Sequence, residues 1–265
     1  NLINGTRPFS VILATAGSVN TLTTSATGRT PYTCSAITVY PNTVSHFHIA
    51  GITTTTTLSG NINAGATTIT VASTTGFPGS GEIGIDNEVI TYAGTNTTLF
   101  TGCTRGASNT IATTHNNNAY VSIPVLACTS SNFTVESQDS YHNTCSFGPY
   151  KYLDTVTFSS TDPQASIPVN TQFVAGDNGI KTFNSQLTLK TRGLQSFTVR
   201  DLLNNTISGT KDGITVKPAS ASKYVVYANS SMANQNITAG SSPVIRAQIV
   251  DSYNNTVARS GVVTA

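Results

Sequence analysis

The sequence predicts an all-β chain, built of repeated sandwich-sized units with a small all-β module between them. Three observations carry this. Apolar and polar residues alternate over short runs, and no long stretch shows the three-to-four-residue spacing of an amphipathic helix. Gly, Asn, Asp and Pro punctuate those runs. Two stretches of the chain also copy two others.

The clearest strands carry Val156 and Phe158, Leu187 and Leu189, Phe197 and Val199, and Ile214 and Val216, each pair giving its strand one apolar face. Between them Asp177-Asn178-Gly179, Asn204-Asn205 and Asp212-Gly213 supply the positive φ angles of hairpin turns. The 46 Thr fit the same picture, because a β-branched residue suits a pleated surface and its hydroxyl suits the solvent face.

The repeats define the organisation. Residues 35–51 match 212–228 without a gap, placing Ile37 on Ile214, Val39 on Val216 and Phe47 on Tyr224. Upstream, Asn4-Gly5 falls on Asn178-Gly179, Phe9 on Phe183, and LATAG (13–17) on LKTRG (189–193). A second match, at an offset of 112, sets QIVDSYNNTV (248–257) on ESQDSYHNTC (136–145). We therefore expect residues 1–50 to be the back half of a sandwich, 51–123 the module, 124–218 a complete sandwich and 219–265 a front half. Joining the end to the start leaves about 18 residues where the complete copy has 39, from Asp139 to Asn178, a deficit of about two strands. Two readings stand: a window cut from a longer tandem array, or half-domains completed by neighbouring molecules. The opening Asn-Leu-Ile-Asn-Gly is neither an initiator Met nor a signal peptide, so a processed or excerpted chain is expected.

Only 24 side chains are charged, 9% of the chain, against roughly 25% in ordinary domains. A net charge of +2 without a basic run gives no footprint for nucleic acid or an anionic membrane surface. No apolar run approaches the ~20 residues that cross a bilayer. Cys34, Cys103, Cys128 and Cys145 have no CxxC spacing, which argues for disulfides in an exported protein rather than a metal knuckle. Of three pairings we expect Cys128 with Cys145 and Cys34 with Cys103, with a buried free thiol at Cys103 the alternative.

The repeated unit, with DSYHNT, TVTFSSTDPQASIP, LTLKTRGLQSFTVRD and GITVKPASASKYVV, resembles the bacterial-type Ig-like repeats found in tandem in large microbial surface and secreted proteins. That resemblance implies a sandwich fold and roles as spacers, fibres and adhesin stalks. Residues 52–123, with ATTITV, GFP, GEIGIDNEVITYAG and FTGCTRG, resemble a small β-module of phage-tail and microbial surface proteins. Cys103, Arg105 and His115 fall at its recurrent positions, to which the resemblance assigns no catalytic role. Physically, GEIGIDNEVITYAG reads as a hairpin turning at Asp86-Asn87.

Candidate chemistry is sparse. His46 and His48 share a strand face as metal ligands do, but their repeat equivalents are Lys223 and Val225 and no third ligand is near in sequence, so a solvated face is expected. Asp139 and Asp251, each followed by Tyr and Asn, offer too few oxygens for calcium and read as Asx turns, with Tyr141 and Tyr253 capping the sandwich edge. His115 and His142 lie in polar turns without a nucleophile motif, and the carboxylates are scattered, so no enzyme and no cofactor are expected. Seven sequons, at Asn4, Asn96, Asn132, Asn204, Asn229, Asn236 and Asn254, are what chance gives for this composition. The charge deficit is what argues for covalent glycans as the hydrating surface.

We expect an extracellular or cell-surface homopolymer: a structural subunit joined head to tail by strand complementation, with Phe9, Ile12, Leu13, Ile37 and Val39 at the front meeting Val244, Ile245, Ile249, Val262 and Val263 at the back. The alternative is an adhesin or receptor-binding stalk of a surface or phage-tail-like appendage, in which the module binds a glycan or other ligand through its loops 76–81 and 106–118.

Overall fold

A computed structural model describes residues 7–108, 110–228, 238–240, 242 and 244–257. It is all-β, with no α-helix among these residues. The first segment holds β1 (Gly17–Asn20), β2 (Thr23–Thr24), β3 (Tyr32–Thr33) and β4 (Ile37–Val39), paired as β1–β4 and β2–β3. Next is β5 (His46–Ala50). The module follows, with β6 (Thr55–Thr57), β7 (Thr68–Thr70), β8 (Gly81–Ile85), β9 (Glu88–Tyr92), β10 (Gly94–Thr95), β11 (Leu99–Thr101), β12 (Thr104–Ala107) and β13 (Tyr120–Ser122). After it run β14 (Val125–Leu126), β15 (Ser130–Gln138), β16 (Thr155–Ser160), β17 (Thr171–Gln172), β18 (Ile180–Thr188), β19 (Gly193–Asp201) and β20 (Ser208–Lys217), then β21 (Lys223–Ala228) and β22 (Ile245–Val250).

Eight of these strands form one curled sheet in the order β17-β16-β19-β20-β5-β15-β18, with β14 beside β20. Its two halves meet through a single parallel pair, Ser208 with His46, and close on one core like the layers of a sandwich. Alternation builds that core, because Phe47 and Ile49 of β5, Phe133 and Val135 of β15, and Phe197 and Val199 of β19 all point inward. Phe133 sits at the centre, stacked 4.8 Å from Phe183 and edge-on to Phe197 at 5.0 Å.

The pairing corrects the domain boundaries expected from the repeats. β5 is bonded to β15 along its length, so 46–50 is the first strand of the complete sandwich and not the end of the half before it. The 51–123 module is therefore an insertion between that sandwich's first two long strands. β21 and β22 reproduce the β5–β15 pair in the next copy, joined by a short link instead of a module. Their register is identical: His46–Gln138, Phe47–Ser137 and His48–Glu136 recur as Lys223–Val250, Tyr224–Ile249 and Val225–Gln248. A repeat fixes its period but not where a unit begins, which is why the sequence misplaced the boundary. Asp212-Gly213 is also not a hairpin turn. It lies inside β20 at a register shift against β19, where Gly213, at φ 75°, passes so close to Tyr120 that a Cβ would lie 2.7 Å from the ring.

In the module a five-stranded sheet, β12-β9-β8-β13-β6, and a three-stranded one, β10-β11-β7, enclose Ile69, Ile83, Ile85, Ile90, Phe100 and Val121. The β8–β9 hairpin turns at Asp86-Asn87 as its sequence predicts, with Asp86 at φ 51°. The module is docked on β20. Thr215 N–H donates to Ser122 Oγ at 3.1 Å, Lys217 Nζ to Glu82 Oε2 at 2.6 Å, and a Cβ on Gly84 would lie 2.4 Å from Thr215 Cγ2.

Candidate assembly interface

The repeated Asp and Asn of the DSY turns join consecutive copies of the repeat. Asp139 is buried, and its Oδ1 accepts the backbone N–H groups of Tyr141 (2.8 Å) and Asn143 (2.9 Å), as an Asx turn requires. Its Oδ2 accepts Asn42 N–H at 2.8 Å, tying the turn to the chain entering β5. These oxygens are thus spent on donors, not offered to a cation. Burial opposes ionisation of Asp139, but bonds from Asn143, Asn42 and Tyr141 outweigh it and hold the carboxyl below its ordinary range.

Asn143 then reaches into the preceding copy, donating from Nδ2 to Ala14 O at 2.8 Å and accepting Ala16 N–H at 2.9 Å. The second turn repeats this atom for atom. Asp251 Oδ1 accepts Tyr253 and Asn255 N–H, and its Oδ2 accepts Ala219 N–H at 3.0 Å. Asn255 Nδ2 donates to Lys190 O at 2.6 Å, and its Oδ1 accepts Arg192 N–H at 2.8 Å. Ala14 and Ala16 are the repeat equivalents of Lys190 and Arg192, so the chain contains one joint twice. The sequence carried the signal in the shared spacing of Asp139/Asn143 and Asp251/Asn255, but reading it as a local turn missed the asparagines' partners, 127 and 129 positions away for Asn143 and 63 and 65 for Asn255. The tyrosines do not cap the edge alike, because Tyr141 is exposed, whereas the Tyr253 hydroxyl meets Cys128 Sγ and its ring lies 6.0 Å from Lys190 Nζ.

The expected assembly residues fall into two groups. Phe9, Ile12, Val244 and Ile245 are exposed, and Leu13, Ile37, Val39 and Ile249 half-buried. Val262 and Val263 lie outside the described residues. So do the sequons Asn4, Asn229 and Asn236, while Asn96, Asn132, Asn204 and Asn254 are exposed. Asn132 accepts Ser185 N–H at 2.7 Å on a strand, and Asn204 accepts both the N–H and the hydroxyl of Thr206 in a turn.

All four cysteines are free, so neither expected disulfide is formed. Cys145 is buried in the sandwich core at a position whose repeat equivalent is Val257, and it acts there as a small apolar side chain. Burial pushes its thiol up to about 11. Cys103 lies in the module's separate core, its thiol also raised by burial, which agrees with the buried-thiol alternative. Cys34 accepts Leu22 N–H within the first segment, and Cys128 is exposed at φ 68°. His46 bonds Gln138 at 3.1 Å and sits edge-on to His142 at 5.1 Å, while His48 is exposed.

The module holds a constellation the sequence did not assemble. Buried Glu88 accepts Arg105 Nε at 2.8 Å and Nη2 at 2.7 Å, His115 Nε2 at 2.9 Å, and the N–H groups of Gly106 and Thr113. His115 Nδ1 lies 2.8 Å from Asp86 Oδ2. Burial disfavours the Glu88 anion, but these donors overcome it and lower its pKa to about 2. Burial likewise opposes the charged His115, and the two carboxylates outweigh it and raise its pKa. Every ligand of Glu88 belongs to β12 or the loop after it, so the cluster ties β12, Thr113 and His115 to the Asp86 turn. No family model, curated protein or solved structure matches this chain.

Proposed function

We propose that the chain is a structural subunit of an extracellular filament or surface array, joined head to tail by completion of half-sandwiches between neighbours. One observation carries this reading. Inward positions that the complete sandwich buries stand open in the half copies: Phe47 is 3% exposed but its equivalent Tyr224 58%, Phe133 1% but Ile245 61%, and Phe183 2% but Phe9 77%. Apolar positions of that kind gain roughly 1.5–3 kcal/mol each when covered.

The cover has a source in the same sequence. β21 and β22 correspond to β5 and β15, while residues 5–13, β1 and β4 correspond to β18, β19 and β20. Together they supply β19-β20-β5-β15-β18, five contiguous strands of the sheet order. Of the three strands without a counterpart, β16 and β17 sit together at one edge and β14 lies off the main order beside β20, so their loss shortens the sheet without interrupting it. A contact between unlike faces propagates into a filament when its rotation does not close a ring. The extracellular setting rests on the charge-poor surface of hydroxyls and amides.

Two variants test this. Phe9→Asp with Ile12→Asp spoils the front, and Val226→Asp with Ile245→Asp spoils the back. Under electron microscopy the parent forms filaments and neither variant does alone, while an equimolar mixture stops at heterodimers, readable by sedimentation. A parent chain that stays monomeric at every concentration overturns the reading.

A further inference from the structure

We propose that the inserted module is a brace that fixes the angle at which the following sandwich leaves the complete one, a role independent of polymer formation. The two joints share their backbone bonds but differ in what surrounds them. At the first, Ala14 and Ala16 present only backbone to Asn143. At the second, Arg192 stands in place of Ala16 and spans three bodies. Its backbone N–H bonds Asn255, its Nη1 donates to Thr256 O at 3.0 Å in the following copy, and its Nη2 comes within 3.5 Å of Asn87 O in the module.

The module's side of this contact is built for close approach. Asn87 forms the tip of the β8–β9 hairpin, and its Oδ1 lies over Gly193, where a Cβ would be 2.4 Å away, so a larger residue there would have to displace the Asn87 side chain. The tip is held from behind by Asp86, which His115 ties to buried Glu88. The hairpin's base is fixed to the sandwich by Glu82–Lys217, and its neighbouring strand β13 by Ser122–Thr215. Ser108 of the module, Leu126 and Lys217 of the sandwich, and Ala219 and Val257 of the next copy line one shared cleft. A rigid path therefore runs from β20 through the module to the far side of the joint. The β21–β22 link shows that the same strand pair can be connected without a module, so the insertion is not needed to close the fold.

The test measures the distance distribution between spin labels at Ser159, in the complete sandwich, and Ser252, in the following copy, on a background with Cys34 and Cys128 changed to Ser. The parent is expected to give one narrow peak. Arg192→Ala, and a chain in which 229–244 replaces 52–123, are each expected to widen it at least twofold, with the sandwich's circular dichroism unchanged. If the replacement chain does not fold, Arg192→Ala decides alone. Widths equal to the parent's overturn the proposal, even if the shortened chain loses attachment to a glycan surface, since that result would make the module a ligand-binding element.

Discussion

Asn143 and Asn255, 112 positions apart, make the same pair of hydrogen bonds to the backbone of the preceding copy. Each amide uses both its donor and its acceptor across a joint, which only Asn at that reach can do. Substituting Asn255→Ala leaves Lys190 O and Arg192 N–H without their partner, at a cost of roughly 0.5–1.5 kcal/mol for each part-buried bond lost. Hydrogen exchange at residues 245–257 should accelerate while the core amides of β15 and β19 keep their protection. Equal protection in parent and variant at 245–257 would show that the joint does not rest on this side chain.

The titration of the module's cluster has a definite sign. His115 has its folded-state pKa raised by Glu88 and Asp86 against the effect of burial, so its contribution is fully present below about 6.5, the unfolded value, and is lost as pH rises through the folded value. Glu88 is depressed to about 2, so its contribution is present above about 4.5 and is lost as pH falls toward 2. The module should therefore be most stable between about pH 4.5 and 6.5 and weaken on the alkaline side. In thermal melts across pH, His115→Gln should remove the alkaline decline. A decline that persists in the variant would assign it to another group.

The thiols give a third prediction. Under native conditions Cys34 and Cys128 should react with a thiol reagent while Cys103 and Cys145 stay slow, and denaturation should release all four. Reducing agent should leave the melting temperature unchanged. Cys145→Val, which installs the residue of the other copy, should cost less than about 1.5 kcal/mol by denaturant unfolding. Fewer than four thiols in the denatured chain would restore a disulfide.

These sites differ in how far the sequence revealed them. The strand faces of Phe197/Val199 and Ile214/Val216, the Asp86-Asn87 hairpin and both repeat offsets were legible because each depends on neighbours in sequence or on self-comparison. The crossing of β5 into the complete sandwich was not, since the unit's origin is set by a pairing between His46 and Gln138 across the whole module. Nor was the Glu88 cluster, whose members are spread over about 30 residues and meet only once β12 pairs with β9 and the chain after it folds back over the Asp86 turn. The disulfide expectation failed for a related reason. Cysteine counting sees composition, whereas burial of Cys145 among Phe and Val side chains is a property of the packed core.

Thr215 offers the sharpest test of the module's docking surface. Its backbone N–H is satisfied by Ser122, but its Oγ1 is buried without a hydrogen-bond partner among the described residues. A buried hydroxyl left unpaired costs roughly 1–3 kcal/mol. Val has nearly the same shape and an equal preference for strands, so Thr215→Val removes the unpaired group and keeps the contact with Gly84. The variant should be more stable by about 1 kcal/mol in denaturant unfolding, with module and sandwich still melting together. Gly84→Ala should do the opposite, because its Cβ would meet Thr215 at 2.4 Å and the module would lift from β20. If Thr215→Val destabilises the protein, a bound water or an alternative rotamer satisfies the hydroxyl, and the docking surface is wetter than its geometry indicates.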